Sequence, residues 1–358
     1  MIAGTAAALL AAVLFLPVKA GAISARKACV MDGITGKILF EKAATDRSLI
    51  ASTTKIMTAL LICEQCNVLD RMRIPKEAVG IEGSSMYLKE GEILTLQELL
   101  YGLMLSSGND AAVALALYCS GTVEGFAEQM NDKARLLGMK NTHFVNPNGL
   151  DAPNHYSTAE DLAILAAYAM NNPVFYKTVS ARSVKVGERY LTNHNKLLWR
   201  VEGADGVKTG FTKAAGRILV SSATRQQRRV IAVTIDAPND WQDHASMLEE
   251  SFSRYREQKI VACGACLGTV QVEGGEHVNV EILAAEDFSF PISSEESPQI
   301  MLSGTGFVFA PVVEGAKAMD AYVLLDGNAV GRISTVYGVT VEQKQEDHSG
   351  LFERLFRR

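Results

Sequence analysis

The sequence predicts an α+β domain, a mixed antiparallel sheet combined with a helical region, followed by a small all-β domain. Three observations point there. Helix-period apolar runs fill much of residues 52–170. Two strand-like runs, "RILVSSATR" (217–225) and "RVIAVTIDA" (229–237), meet at a tight polar turn at "QQR". From residue 258 onward only short strands and turns follow.

In chain order, residues 3–16, "AGTAAALLAAVLFL", are an uncharged apolar run followed by "AGA" at 20–22. The run is short for a membrane span and ends on a small-x-small cleavage pattern, so residues 1–22 are expected to be an export signal cut after Ala22. Residues 28–40 read as a β-hairpin around "DGITG". Residues 52–66 read as a helix whose interior, "IMTALLIC", is apolar nearly all round and should be buried on every side. Residues 96–120 read as two helices broken by "SSGN", and 122–138 and 157–170 as two more. Ser157 with Glu160 three residues on suggests a capping box for the last of these. "GVKTGFT" (206–212) reads as a strand beside the 217–237 pair, and 241–255 returns to helix. The expected domains are 23–257 and a β-sandwich-like 258–344, where "DGN" at 326–328 marks a hairpin. Residues 345–358 form a short tail. In "GLFERLFRR" (350–358), Leu351, Phe352, Leu355 and Phe356 share one helical face opposite charged residues, which suits peripheral contact with a membrane.

Composition narrows the function classes. With 48% hydrophobic and 21% charged residues the chain is globular. A net charge of −5 argues against a nucleic-acid binder. Cys63/Cys66 and Cys263/Cys266 are C-x-x-C pairs, but they fall in different expected domains, so no metal site is expected from them. Small apolar packing is the expected role of Cys29, Cys63 and Cys119, and export would permit a disulfide. His143, His155, His194 and His244 are scattered and suggest no metal.

Three short motifs could carry chemistry. In "IASTTKIMTAL" (50–60), Ser52 and Lys55 sit at i and i+3, one helical turn apart. A serine needs a base to become a nucleophile. A lysine among apolar residues has its charged form disfavoured, so its neutral amine becomes available. Ser107-Gly108-Asn109 lies at the helix–helix corner, where a hydroxyl and an amide can relay a proton and hold a substrate amide. Lys208-Thr209-Gly210 lies on the predicted strand, where a cation and a hydroxyl on an exposed edge can bind a carboxylate. Each alone is common by chance: a capping serine, a turn, a strand end.

In this order they resemble the S-x-x-K, S-D-N and K-T-G set of penicillin-binding proteins and class A β-lactamases. The S-G-N form resembles the low-molecular-weight D-alanyl-D-alanine carboxypeptidases of serine peptidase family S11. "GSSMYLKEGEILTLQELLYGLMLSSGNDAAVALA" (83–116), "FVNPNGLDAPNHYSTAEDLA" (144–163) and "DGVKTGFTKAAGR" (205–217) agree with that likeness, which spans about residues 25–257. The resemblance implies a serine β-lactamase/penicillin-binding-protein-like fold and a serine-type D-Ala-D-Ala carboxypeptidase. Its substrate would be a peptidoglycan stem peptide ending in D-Ala-D-Ala. It would need no cofactor, and β-lactam antibiotics would inhibit it covalently. Ser52 would be the nucleophile and Lys55 its base, with Ser107 and Asn109 completing the relay. Lys208, Thr209, Gly210 and Phe211 would bind substrate, and the N–H groups of Ser52 and Phe211 would form the oxyanion hole. The protein would work at the extracytoplasmic face of a bacterial membrane or in the wall. Two departures stand out: Phe211 where some members carry histidine, and no arginine in "APNDWQDHAS" (237–246) to match one that helps bind the terminal carboxylate. Two competing readings are a class A-like β-lactamase and a non-catalytic wall-binding protein of the same fold.

Overall fold

A computed structural model describes residues 23–345; the expected export signal (1–22) and the amphipathic stretch 350–358 lie outside them. The chain divides into two compact units at Ser253/Arg254.

In the first unit, β1 (Lys27–Asp32) and β2 (Ile38–Lys42) form the expected hairpin, followed by a 3₁₀ turn (Ala51–Thr54) and α1 (Lys55–Gln65). Next come the short pair β3 (Arg71–Arg73) and β4 (Ile93–Thr95), then α2 (Leu96–Leu105), α3 (Asn109–Ser120) and α4 (Val123–Leu136). After them stand α5 (Ala159–Ala169), α6 (Pro173–Ser180) and a hairpin of β5 (Ser183–Val186) and β6 (Arg189–Thr192). The unit closes with β7 (Ala204–Thr212), β8 (Gly216–Arg225), β9 (Arg228–Ile235) and α7 (Asp240–Arg254). The main sheet has the order β2-β1-β9-β8-β7, every neighbour antiparallel. Gln226 and Gln227 both have positive φ, the geometry that joins β8 and β9 without splaying them.

The core explains the apolar helix. Lys55 to Ile62 are all buried because α1 is enclosed by α2 to α6. Ile218 and Val220 of β8 and Val233 and Ile235 of β9 join the same core. Alternation turns Ser221 and Thr234 to the opposite face, where His244 of α7 lies between them at 2.6 and 2.9 Å. Burial pushes the His244 pKa down to about 3, so it is a neutral linker between helix and sheet.

The cap of α5 differs from expectation. Thr158, not Ser157, is the N-cap, and its Oγ1 accepts from Asp161 N at 3.0 Å. Ser157 is instead drawn into a β-bridge with Ser48, exchanging N–H···O bonds of 2.9 and 3.1 Å. A reciprocal capping box does form at the start of α2, between Thr95 and Glu98.

The second unit is all β. It contains β10 (Arg256–Val261), β11 (Cys266–Glu273), β12 (Asn279–Ala284), β13 (Phe288–Ile292) and β14 (Gln299–Ser303). β15 (Phe307–Phe309), β16 (Asp320–Leu325), β17 (Asn328–Ile333) and β18 (Thr335–Tyr337) complete it. They form three small sheets, β10-β13, β15-β11-β12-β18 and β14-β16-β17. Asp326 and Gly327, both at positive φ, make the β16–β17 turn. The residues of β14 are mostly exposed, so it lacks the alternation that marks a half-buried strand.

Candidate active site

The serine motif begins on a 3₁₀ turn rather than on the α-helix itself. Three residues per turn place i and i+3 over one another, so Ser52 and Lys55 still share a face. Lys55 opens α1 and is fully buried. Its Nζ lies 2.9 Å from Ser52 Oγ, 2.7 Å from Asn109 Oδ1 and 2.6 Å from the Asn148 carbonyl oxygen. Burial, then the nearby Lys208, holds the Lys55 pKa well below its ordinary value. A neutral amine has two protons and one lone pair. The protons suit the carbonyl oxygens of Asn109 and Asn148, and the lone pair then receives the Ser52 O–H.

Each partner is itself held. The Asn109 amide donates from Nδ2 to the Glu82 carbonyl at 2.5 Å, which turns Oδ1 toward Lys55. The next residue, Asp110, accepts from Met86 N, Leu88 N and Ser85 Oγ and so ties the 85–88 segment to the start of α3. Asn148 is brought in by the 145–155 loop. Val145 N donates to His155 Nδ1 at 3.1 Å, leaving Nε2 to donate to Thr54 Oγ1 at 2.8 Å. Burial pushes His155 down to about 4, so it stays neutral. Gly149, at φ +85°, packs against the Ala51 carbonyl; a Cβ there would come within 1.9 Å of it.

Ser52, Ser107, His194, Thr209, Gly210 and Phe211 line one cavity of about 350 Å³. Ser107 sits at the corner between α2 and α3 with φ of +60°, a strained conformation for a serine. Gly210 brings β7 against the serine turn: a Cβ there would lie 3.3 Å from Ser52 N. Phe211 is exposed at the rim.

Lys208 differs from expectation. It is not a cation on an open edge: it is 1% exposed, and Nζ donates to the Thr209 carbonyl at 2.9 Å. β7 is an edge strand in pairing, but neighbouring elements cover this side chain, and burial pushes its pKa down to about 7.

Arg217 is a cavity residue that the sequence reading missed. On β8 it stands directly opposite Phe211 of β7. Asp240 grips it with Nε···Oδ2 of 3.1 Å and Nη2···Oδ1 of 3.0 Å, and the Trp241 ring lies 5.8 Å away. Asp240 and Trp241 belong to the arginine-free stretch 237–246, which therefore presents an arginine from another strand. The signal available was register: across a tight hairpin, position 211 pairs with 217, six residues on, or its neighbours. A larger hollow of about 920 Å³ shares Arg217, Asp240 and Trp241 but contains none of the three motifs.

The model of the D-alanyl-D-alanine carboxypeptidase family, peptidase S11, matches residues 16–239. The chain belongs to that family. Residues 255–343 match the C-terminal domain of penicillin-binding protein 5. The D-alanyl-D-alanine carboxypeptidase DacF of Bacillus subtilis is 36% identical over 278 residues, 74% of this chain and 72% of the relative. DacC of Escherichia coli is 30% identical across 95% of this chain and 88% of its own. The crystal structure of penicillin-binding protein 5 from Haemophilus influenzae superposes with a TM-score of 0.76 at 29% identity, covering 92% of this chain and all of that one. These likenesses bear out the expected family and the penicillin-binding-protein-like fold. No helix among the described residues is long and apolar enough to cross a membrane.

Proposed function

We propose that this family member is a serine-type D-Ala-D-Ala carboxypeptidase that trims the terminal D-alanine from peptidoglycan stem pentapeptides outside the cytoplasmic membrane. The observation that carries the reading is the contact of Lys55 Nζ with Ser52 Oγ at 2.9 Å inside a fully buried amine site. Lys55 takes the Ser52 proton as the oxygen attacks the penultimate D-Ala carbonyl. The N–H groups of Ser52 and Phe211 receive the oxyanion, a role favoured by the packing of Gly210 on the serine turn. The tetrahedral intermediate collapses, the C–N bond breaks, and the proton held by Lys55 returns through Ser107 to the departing amine. Water then attacks the ester on Ser52 and releases the shortened peptide. β-Lactams acylate the same serine.

Arg217 supplies the guanidinium for the substrate's terminal carboxylate, beside Thr209. Its guanidinium has five donors, of which Asp240 takes two. Lys208 acts from beneath, through the strand that carries Thr209 and through its field on Lys55.

The test is to incubate the protein with fluorescent penicillin and with a peptide ending in D-Ala-D-Ala, beside Ser52→Ala. Covalent label and released D-alanine from the wild type, both lost in the variant, are expected. Neither label nor D-alanine from folded wild type would exclude the enzyme reading. Rapid turnover of penicillin without lasting label would favour a β-lactamase.

A further inference from the structure

The helices that carry the candidate catalytic side chains, α1 and α3, both begin at the site and pack against each other. At their starts Lys55 and Asn109 are joined by a 2.7 Å hydrogen bond. They run 11 and 12 residues in the same direction, so their far ends also meet. There Cys66 caps α1 and Cys119 occupies the last turn of α3. Cys119 Sγ is 3.3 Å from Gln65 Oε1, and the adjacent Tyr118 O–H donates to Asp70 Oδ2 at 2.9 Å. Cys119 Sγ thus lies against the residue that precedes Cys66, and both cysteines are half-buried, whereas Cys29 is sealed in the core.

We propose that Cys66 and Cys119 are a disulfide site that clamps the distal ends of the two catalytic helices. This rests on the proposed work outside the membrane, where thiol oxidants prevail. Cys66 is the attacking thiol: burial raises both groups, but Cys119 is pushed up to about 12. As a thiolate, Cys66 attacks a small-molecule or protein disulfide; one donor sulfur leaves as a thiol and a mixed disulfide remains. Cys119 then loses its proton and displaces the second donor sulfur. One S–S bond forms and one breaks, two protein thiols are oxidised, and the donor departs as two thiols.

The test equilibrates the full chain with oxidised glutathione, blocks remaining thiols with iodoacetamide, and maps proteolytic peptides by mass. A peptide pair joining Cys66 to Cys119 is expected, absent in Cys66→Ser and Cys119→Ser. Reduction with dithiothreitol should lower the wild-type Tm by about 5–10 °C and leave that of Cys66→Ser unchanged. Alkylation of both cysteines after equilibration, or a bond joining either to another cysteine instead, overturns the proposal. Fluorescent penicillin added to the same samples separates the two readings. Labelled protein without the cross-link refutes the disulfide alone, and cross-linked protein without label refutes the acyl-enzyme alone.

Discussion

Lys55 and Lys208 are buried behind the cavity that Arg217 lines, and burial decides what each can do. Lys55, sealed among carbonyl oxygens, is favoured as a neutral base. Acidification adds the proton that disables it, so the rate of penicillin acylation should fall as pH drops through the Lys55 pKa; stopped-flow labelling across pH measures this. Lys208 has an ordinary pKa of 10.5 and a folded one of about 7. Between those values the folded state binds fewer protons than the unfolded chain, so the lysine's contribution to stability rises with pH from about 7 to 10.5 and is least below 7. Thermal unfolding should therefore show a Tm that climbs from neutral to alkaline pH relative to Lys208→Met, which lacks that group. Arg217→Ala should raise KM for a D-Ala-D-Ala peptide about 10–100-fold, the cost of one charged hydrogen-bonded contact. It should also narrow the preference for a free terminal carboxylate over its amide. An unchanged preference would remove Arg217 from carboxylate recognition.

At the scale of elements, a helix without a polar face is stable only because other helices enclose it. Leu60 lies in the middle of α1 and is fully buried. Leu60→Ala should cost about 2–5 kcal/mol, read from urea unfolding. The cap of α5 gives a sharper comparison. Thr158→Ala should cost about 1 kcal/mol, while Glu160→Ala should stay within about 0.5 kcal/mol, because Thr158 caps the helix and Glu160 closes no box. The sequence reading placed that cap one residue early because Ser and Thr stand side by side, and local pattern cannot choose between them. The choice belongs to Ser48, a distant residue that takes Ser157 into a bridge. The hairpins at 28–40 and 326–328 were legible since their turn residues and strand alternation are local properties.

Across the whole molecule, all three motifs, the 145–155 loop and Arg217 fall within the first unit. A chain of residues 23–253 should therefore retain penicillin labelling if its fold persists by circular dichroism; a folded but unlabelled fragment would assign the second unit a part in the chemistry. Lys208 shows the limit of reading a motif in isolation. Its type and place on a strand follow from neighbouring residues, but its exposure depends on what covers the strand.

The fold class, the N-terminal hairpin and the enclosed helix were carried by the sequence alone, and motif spacing marked Ser52, Lys55, Ser107, Asn109 and Lys208-Thr209-Gly210 as one candidate site. Hydrophobic period, turn residues and motif spacing act within a few residues of one another, so they can be read along a line. Tertiary structure alone decided that Asn148 and Asn109 complete the lysine's shell, that Lys208 is covered, and that Asp240 and Trp241 hold Arg217 at the cavity. Those outcomes depend on burial and on contacts between residues far apart in the chain, and both exist only once the sheet and helices have packed.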